Sequence, residues 1–236
     1  MYPPPTFTTP RLLFEAMTPD DLEAMYQIRN KTEVMRWSLR KLPDQNLEET
    51  RTWLTKYISG ENHPPRTCYV VRELLPTPPQ TSTPIPNGSG TPAAAAAAGP
   101  VIGNMGVRME PAPTQRDDSG LTSSSSSSSG GAADQHPPRK DRWELGYIFH
   151  PDVWGRGYAT EAVQHLSQKF FGELQARMTE AYGAEATGNV EAGLWAITNH
   201  DNAASQRVLR KTGFVGPVEE FVEGDGTRCD VFVKYK

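Results

Sequence analysis

Two segments of this 236-residue chain lack the side chains from which a protein core is built. Residues 76–100 read PTPPQTSTPIPNGSGTPAAAAAAGP, and residues 110–141 centre on a long serine run flanked by glycine and proline. Burying such residues would release too little free energy to offset the entropy that the chain loses on ordering. We therefore expect two disordered, surface-exposed insertions, so the rest of the chain must supply the core.

The stretch between these segments, VIGNMGVRM at residues 101–109, is apolar and has the composition of a β-strand. A strand between two low-complexity segments indicates insertions into one folding unit. We therefore predict that residues 1–236 form a single domain. The alternative, that a segment links two domains, stays open at this stage, although neither flank alone has the content of a complete core.

The overall composition argues against several functional classes. The net charge is −4 and the basic residues are scattered, so nothing favours nucleic acid or an anionic membrane as a partner. No apolar run has the length of a transmembrane helix, and MYPPPTFTTPR at the start lacks the features of a secretory signal. We expect a cytoplasmic protein, with the nucleus as second choice. Cys68 and Cys229 are expected to be buried free thiols, and no metal site is expected.

Hydrophobic periodicity outlines the remaining elements. The predicted helices are residues 18–30, 46–58, 158–174 and 202–214, with Thr18, Asn46 and Asn202 as N-caps of the first, second and last. The predicted strands are residues 9–17, 67–74, 101–109, 142–151 and 193–198, with a hairpin over 219–235 and a loop over 175–192. This order predicts a mixed α/β domain.

The sequence DVWGRGYATEAV, residues 152–163, places two glycines between a predicted strand and a predicted helix. A helix N-terminus carries free backbone N–H groups and the positive end of the helix dipole, and glycine lets a phosphate approach that backbone. Gly155 and Gly157 therefore indicate a site for a phosphate-bearing ligand, with Arg156 at its rim. A plain tight turn and a solvent-exposed Arg156 remain as alternatives.

Two other phosphate-binding motifs do not fit. The chain lacks the G-x-x-x-x-G-K-[ST] sequence of a P-loop. Thr160 occupies the place of the third glycine in a dinucleotide fingerprint, and no acidic residue ends a second strand at the required distance. Neither a nucleoside triphosphatase nor a dinucleotide-dependent dehydrogenase is therefore indicated.

Three motifs in this order resemble the GNAT N-acetyltransferase superfamily. They are ELGYIFHP before the glycine turn, WGRGYATEA across it, and NHDNAASQRVLRKTGF further along the chain. The opening TPRLLFEAMTPDDLEAMYQIRN is similar to the first strand and helix of the RimJ/RimL-like branch. The resemblance covers most of residues 9–74, then 101–108 and 142–235. It implies a GNAT-like acyl-CoA N-acyltransferase fold, with a mixed, mostly antiparallel sheet flanked by helices.

The resemblance implies acetyl-CoA as co-substrate, because the glycine turn of this superfamily holds its pyrophosphate. The superfamily pattern of this turn is [Q/R]-x-x-G-x-[G/A]. Trp154 stands at its first position, where Gln or Arg is usual, whereas Gly157 matches the glycine and Ala159 matches the last position. Asn199 and Asn202 are similar to a pair that contacts the pantetheine arm, although Asn202 has a second role as a helix cap. The implied cofactor-binding residues are Tyr147, Ile148, Phe149, Trp154, Gly155, Arg156, Gly157, Tyr158, Ala159, Thr160, Asn199, Asn202 and Ser205.

Acetyl transfer to an amine needs a base, an oxyanion donor and a proton for the leaving thiolate. Glu144 lies within a predicted strand, at a position similar to that of the base in this branch. Three alternatives stay open: a water chain acts as the base, Glu144 is a solvent-exposed carboxylate, or Glu144 pairs with an arginine. A backbone N–H of residues 147–150 would meet the oxyanion. Leu209 replaces a tyrosine that donates the proton in many members. Ser205, one turn earlier, is the candidate acid. The alternative is that Ser205, as the third residue of its helix, only bonds to the backbone of the N-cap.

The sequence thus predicts an acetyl-CoA-dependent N-acetyltransferase that acts on a primary amine by direct attack in a ternary complex. The acceptor belongs to a peptide or a small molecule, as a protein N-terminus, a lysine or another amine. A monomer or a homodimer is expected. Leu209 and the insertions leave a second hypothesis open, a non-catalytic acyl-CoA-binding or scaffolding module with the same fold.

Overall fold

The computed structural model describes residues 4–59, 65–75, 97–110, 141–183 and 190–236. The two expected insertions therefore lie outside the described residues, except at their ends. Those ends are wrong by a few residues, because residues 97–100 and Glu110 belong to one strand and Asp141 begins the next. Each strand continues for as long as its neighbour supplies backbone hydrogen bonds, whatever the local composition.

Within the described residues, eight strands form one sheet in the order β1-β2-β3-β4-β5-β6-β8-β7. The strands are β1 (Phe7–Thr8), β2 (Leu12–Ala16), β3 (Arg66–Leu75), β4 (Ala97–Glu110), β5 (Asp141–Phe149), β6 (Val190–Asn199), β7 (Val215–Val222) and β8 (Arg228–Lys234). All neighbours are antiparallel except β5 and β6, which are parallel. The expected fold class, a mixed and mostly antiparallel sheet flanked by helices, is confirmed.

Six α-helices accompany the sheet in the described ranges. They are α1 (Leu22–Arg29), α2 (Thr32–Met35), α3 (Leu47–Ser59), α4 (Tyr158–Lys169), α5 (Gln175–Tyr182) and α6 (Ala203–Lys211). The helix predicted at 18–30 begins as a 3₁₀ turn over Pro19–Asp21, in which the Asp21 carboxylate accepts the N–H of Thr18 at 2.9 Å. None of these helices is long and apolar enough to cross a membrane.

Each face of the sheet packs against its own helices. On one face, Leu166 of α4 and Leu209 of α6 share a core with Trp143 of β5. On the other face, Met25 of α1 and Leu54 of α3 belong to a second core. Both cysteines are buried free thiols, as predicted. Because helices cover the two faces, side chains at the ends of the central strands have fixed positions.

The chain after α4 differs from the sequence prediction. A π-helical turn, Phe170–Leu174, leads directly from α4 into α5. The loop predicted for residues 175–192 is therefore wrong at both ends, where α5 and the first residues of β6 lie. Leu174 and Met178 are fully buried one helical turn apart and hold α5 against the core. Polar neighbours hide this pattern in the sequence, since one apolar residue per turn is a weak signal.

The parallel strands β5 and β6 separate along their length. Their register pairs run from Asp141 with Val190 to Glu144 with Trp195, and no later pair joins them in the described residues. Beyond Glu144, β5 stays bonded to β4 and β6 stays bonded to β8. A wedge-shaped opening therefore lies between two central strands, with backbone groups available along its sides.

Shortening both insertions should leave the domain intact. Leu75 is the register partner of Ala97, and Glu110 that of Arg142, so each insertion connects strand ends that already lie side by side. Four-residue Gly/Ser turns in their place should keep or raise the melting temperature. The entropic free-energy cost of closing each shorter loop is about 1 kcal/mol lower than that of the natural insertion. Calorimetry of the shortened chain checks this. A fall of more than about 5 °C would show that the insertions pack on the domain.

Candidate active site

The opening between β5 and β6 contains a cavity of about 380 Å³. Both strands, the glycine turn, the first residues of α4 and one face of α6 line it. The cofactor-binding residues expected from the sequence lie in its wall with the exception of Arg156. Those in the wall are Tyr147, Ile148, Phe149, Trp154, Gly155, Gly157, Tyr158, Ala159, Thr160, Asn199, Asn202 and Ser205.

The glycine turn has a backbone conformation that side chains disfavour. Gly155 and Gly157 have φ angles of +76° and +82°, and Gly157 is the N-cap of α4. The N–H groups of Tyr158, Ala159 and Thr160 lie in the first turn of this helix, where no acceptor exists within the helix itself. The turn therefore combines free N–H groups with the positive end of a helix dipole at the cavity wall.

Trp154 ties this turn to the end of β5. Its indole Nε1–H donates to the carbonyl oxygen of Phe149 at 2.8 Å. The tryptophan that departs from the Gln or Arg of the superfamily pattern thus has a structural role. The Tyr158 side chain is buried, and its hydroxyl donates to Glu73, which lies outside the cavity wall. What Tyr158 offers the cavity is its backbone N–H.

The cavity wall carries positive charge, and no carboxylate side chain lines it among the described residues. Arg207 and Lys211, one turn apart on α6, line the cavity, whereas Arg156 is exposed outside it. The sequence analysis missed both α6 residues. They share a helical face with Ala204 and Val208, and this spacing was the signal that could have identified them. In the described part of the chain, no His, Cys, Asp and Glu side chains group as metal ligands.

The backbone of β5 turns only some of its N–H groups toward the cavity. The N–H of His150 donates to the carbonyl oxygen of Ile102 in β4, at 2.8 Å. Successive residues of a strand direct their N–H groups to opposite sides, so that of Ile148 also faces β4. The N–H groups of Tyr147 and Phe149 therefore face the opening. Of the backbone N–H groups of residues 147–150, which were the expected oxyanion donors, these two are the candidates that face the opening.

Asn199 and Asn202 stabilise the turn between β6 and α6. The Asn199 Oδ1 accepts the N–H of Asp201 at 2.9 Å, and the Asn202 Oδ1 accepts the N–H of Ser205 at 3.0 Å. The predicted cap at Asn202 is thus confirmed. Both side chains also line the cavity, and these bonds do not use their –NH₂ groups.

Ser205 lies against a phenol in the cavity wall. Its Oγ is 2.8 Å from the hydroxyl oxygen of Tyr147. Burial raises the pKa of Tyr147 to about 12, against a smaller lowering by the bond to Ser205, so the phenol keeps its proton at neutral pH. Leu209, one turn further along α6, is buried in the core and offers no polar group.

Glu144 forms a partly buried ion pair on the face of the sheet that α1–α3 cover. Its carboxylate is 3.1 Å from Nη2 of Arg108, whose Nε lies 3.0 Å from Glu110. Burial raises the pKa of Glu144, although the charge of Arg108 opposes this. The arginine partner considered from the sequence is therefore present. Glu144 is not in the cavity wall, but it shares a face of β5 with Gly146 and Ile148, which are.

Open space adjoins the cavity at Gly146. A Cβ atom placed on Gly146 would meet no atom within 4 Å. Val34 of α2 and Trp37, just after this helix, also line the cavity. Leu209 lines the cavity from the opposite face of the sheet. The cavity therefore passes between β5 and β6, with lining residues on both faces of the sheet. Helix α2 was not predicted, because its four residues are too few for a periodic pattern.

The comparisons with known proteins show the family and the fold of the chain. The family described as acetyltransferase (GNAT) domain matches residues 11–215. A GNAT-family acetyltransferase from Bacillus anthracis has 15% identity and a TM-score of 0.57, over 98% of each chain. An acetyltransferase from Salmonella typhimurium that modifies the N-terminal serine of a 50S ribosomal subunit protein has 15% identity and a TM-score of 0.54, over 97% of this chain and 96% of that one.

A third similar structure is AAC(6')-Ib in complex with ribostamycin and coenzyme A, with 15% identity and a TM-score of 0.54, over 95% of this chain and 93% of that one. No curated protein sequence matches the chain significantly. Similarity of structure at such identities shows a shared fold.

Proposed function

Since the chain belongs to the GNAT acetyltransferase family, we propose that it transfers the acetyl group of acetyl-CoA to a primary amine by direct attack in a ternary complex. Residues 1–236 act as a single acetyltransferase domain in this proposal. The observation that carries it is the cavity between β5 and β6, where the N-terminus of α4 and two cations of α6 face one space.

The charges of the cavity suit the phosphates of coenzyme A. The turn at Gly155 and Gly157 and the first N–H groups of α4 receive the pyrophosphate. Arg207 and Lys211 add positive charge on the opposite wall, and no carboxylate among the described lining residues opposes it. The structural neighbour in complex with coenzyme A has the same fold, which supports this assignment.

The acetyl end of the co-substrate lies where β5 and β6 part. The –NH₂ groups of Asn199 and Asn202 bind carbonyl groups of the pantetheine arm. The N–H of Tyr147 or Phe149 receives the thioester oxygen as negative charge develops on it. These groups are fixed in advance by the strand and by the helix cap, so little reorganisation accompanies the reaction.

Glu144 is the proposed base, acting through a water molecule in the space beside Gly146. An acceptor amine is mostly protonated near neutrality, so a base raises its reactive fraction. Burial raises the pKa of Glu144 toward the range that suits a base, while Arg108 favours its ionised form. The amine approaches from the side of the sheet on which Val34 and Trp37 border the cavity.

Ser205 is the proposed donor to the leaving thiolate. Either hydroxyl of this pair can donate, and Tyr147 stays protonated at neutral pH. In this proposal the Tyr147 hydroxyl donates a hydrogen bond to Ser205 Oγ, which leaves the serine hydrogen free for the sulfur. A thiol has a pKa of about 8.5, so the thiolate leaves readily and needs modest help. The aliphatic side chain of Leu209 has no proton to donate to the thiolate.

Ser205→Ala and Tyr147→Phe should each lower kcat about tenfold, because each removes one hydrogen bond worth about 1.4 kcal/mol. The double variant should be no slower than the single ones, since both residues act through one contact. Steady-state kinetics measure this. Tyr26→Phe is the control, because the hydroxyl of Tyr26 lies on the surface near the Gln45 carbonyl. An unchanged kcat in the single variants, or a double variant whose loss is the product of the two single losses, would contradict the role assigned to Ser205 and Tyr147.

The acceptor is a primary amine of a peptide or a small molecule in this proposal. One structural neighbour is in complex with ribostamycin and another modifies an N-terminal serine, so the shared fold does not select between these classes. Membership of the RimJ/RimL-like branch is supported by the sequence motifs around the glycine turn. The buried Leu209 is the observation that favours the second candidate, a non-catalytic acyl-CoA-binding or scaffolding module.

Release of free thiol separates the two candidates. The full chain is incubated with acetyl-CoA and a library of amines and peptides, and coenzyme A is detected with a thiol reagent. We expect release that depends on the amine, with reactions lacking amine as control. Binding of acetyl-CoA without release for any amine would favour the non-catalytic module.

A further inference from the structure

An arginine that is distant in sequence contacts the glycine turn on the side away from the cavity. Arg11 directly precedes β2, and its carbonyl oxygen is held by the N–H of Leu74 at 2.8 Å. Its Nη1 donates to the carbonyl oxygen of Arg156, between the two glycines, at 3.0 Å. Its Nη2 lies 3.5 Å from the place that a Cβ on Gly157 would occupy. The guanidinium group therefore contacts the centre of the turn.

Glu161, in the first turn of α4, fixes this arginine. Its Oε2 accepts Nε of Arg11 at 2.6 Å, and its Oε1 accepts the backbone N–H of Arg11 at 2.9 Å and the hydroxyl of Thr9 at 2.6 Å. Burial alone would raise the pKa of Glu161, but the bonds from Thr9 and Arg11 outweigh it and hold the pKa below its ordinary value. The carboxylate is therefore ionised at neutral pH. The Arg11 guanidinium also stacks 4.5 Å above the ring of Tyr158.

These contacts determine which way the peptide between Arg156 and Gly157 points. In a trans peptide the carbonyl and the N–H group point in opposite directions. Because Arg11 holds the Arg156 carbonyl on the side of β2, the N–H of Gly157 is directed to the other side, where Gly157 lines the cavity. Glycine otherwise loses more conformational entropy on ordering than other residues. A brace that orders the turn before a ligand arrives removes that cost from binding.

We propose that Arg11, held by Glu161, is a positioning residue that orients the glycine turn for the phosphates of the acyl donor. This inference rests on the proposed function, since it takes the turn as the phosphate site. Arg11 acts through the turn and from outside the cavity wall, and Glu161 acts through Arg11.

The brace predicts equal effects from its two charged members. Arg11→Met, Arg11→Lys and Glu161→Gln should each weaken coenzyme A binding about tenfold, the value of one well-made charged hydrogen bond. Lysine keeps the charge but cannot bridge the carbonyl and the carboxylate at once. The KM for acetyl-CoA should rise with kcat nearly unchanged, and turnover of S-acetyl-pantetheine, which has no phosphate, should be unaffected.

Calorimetric titration with coenzyme A and hydrogen exchange of the free protein test the brace together. In all three variants the backbone amide of residue 161, which donates to the Gly157 carbonyl oxygen at 3.0 Å, should exchange faster than in the wild type before any ligand is added. Arg51→Met is the matched control, because it removes an arginine that pairs with Glu48 on the exposed side of α3. It should change neither affinity nor exchange.

Three results would overturn the inference. Exchange of the amide of residue 161 equal to that of the wild type would show that the turn is ordered without Arg11. Loss of affinity in the Arg11 variants with full affinity in Glu161→Gln would make Arg11 a direct phosphate ligand. A wild-type chain that binds no coenzyme A would overturn the proposed function as well, and the titration of the wild type alone reveals that case.

Discussion

Acetyl-CoA binding should be lost when Gly157 is replaced by glutamate. The Cβ of a residue at position 157 would lie 3.5 Å from Nη2 of Arg11, so the new carboxylate would compete for the arginine that holds the turn. Its negative charge at the N-terminus of α4 would also oppose the pyrophosphate that the turn is proposed to hold. The glutamate also has to adopt the φ of +82° that Gly157 has, at a cost of about 1–2 kcal/mol in stability. We expect the Kd of acetyl-CoA to rise at least about 100-fold, or by about 2.7 kcal/mol, in calorimetry.

Gly226→Glu separates the effect on the ligand from the strain. Gly226 has a φ of +85° and open space around it, and it lies in the turn of the β7–β8 hairpin, outside the cavity wall. This control introduces the same charge and a similar strain, so its melting temperature should fall as that of Gly157→Glu does. Its affinity for acetyl-CoA should be unchanged. Unchanged affinity in Gly157→Glu would contradict the phosphate assignment.

Removing the carboxylate of Glu144 should lower kcat/KM about 10²-fold at neutral pH, the scale of general-base catalysis. Glu144→Gln keeps the shape of the side chain, and Arg108 keeps Glu110 as an ionic partner. The fold and the affinity for acetyl-CoA should therefore be retained, since the carboxylate acts on the acceptor. Glu110→Gln is the matched control, because it removes the other carboxylate at Arg108 and leaves Glu144 in place.

The pH dependence tests the role of Glu144 in a second way. In the wild type, kcat/KM should fall as the pH is lowered through the pKa of Glu144, which burial holds above its ordinary value, because protonation removes the base. Glu144→Gln should lack this dependence. Its deficit should shrink as the pH rises toward the pKa of the amine, about 8 for an N-terminus and about 10.4 for lysine, where the amine deprotonates unaided. Wild-type rates at neutral pH would make Glu144 structural. Loss of acetyl-CoA affinity or of the fold would mean that it holds the site together.

Local features of the site could be predicted from the sequence. The glycine turn is encoded within a few residues, because positive φ angles need glycine and the helix begins directly after them. The cap at Asn202 is local in the same way, and so is the low apolar content of the two insertions. The separation of β5 and β6 was not expected from the sequence, because it depends on how the strands pair in the sheet.

Contacts between distant segments could not be predicted. The Tyr147–Ser205 bond joins a strand to a helix 58 positions later, and the Glu144–Arg108 pair joins two neighbouring strands. Arg11 reaches the glycine turn across 145 positions. Each pair forms only because the order of strands in the sheet brings its members together. Residues 175–182 were taken for a loop because Met178, which anchors them, is a single apolar residue among polar ones.

The fate of the acetyl group is the most direct test of the account. The full chain is incubated with acetyl-CoA labelled with ¹³C in the acetyl group and with the amine that gives the fastest thiol release, and the products are identified by mass spectrometry. We predict one labelled acetyl group per molecule of amine, held as an amide, and an equal amount of free coenzyme A. Label found as free acetate, or on the protein with the amine unmodified, would contradict direct transfer to an amine.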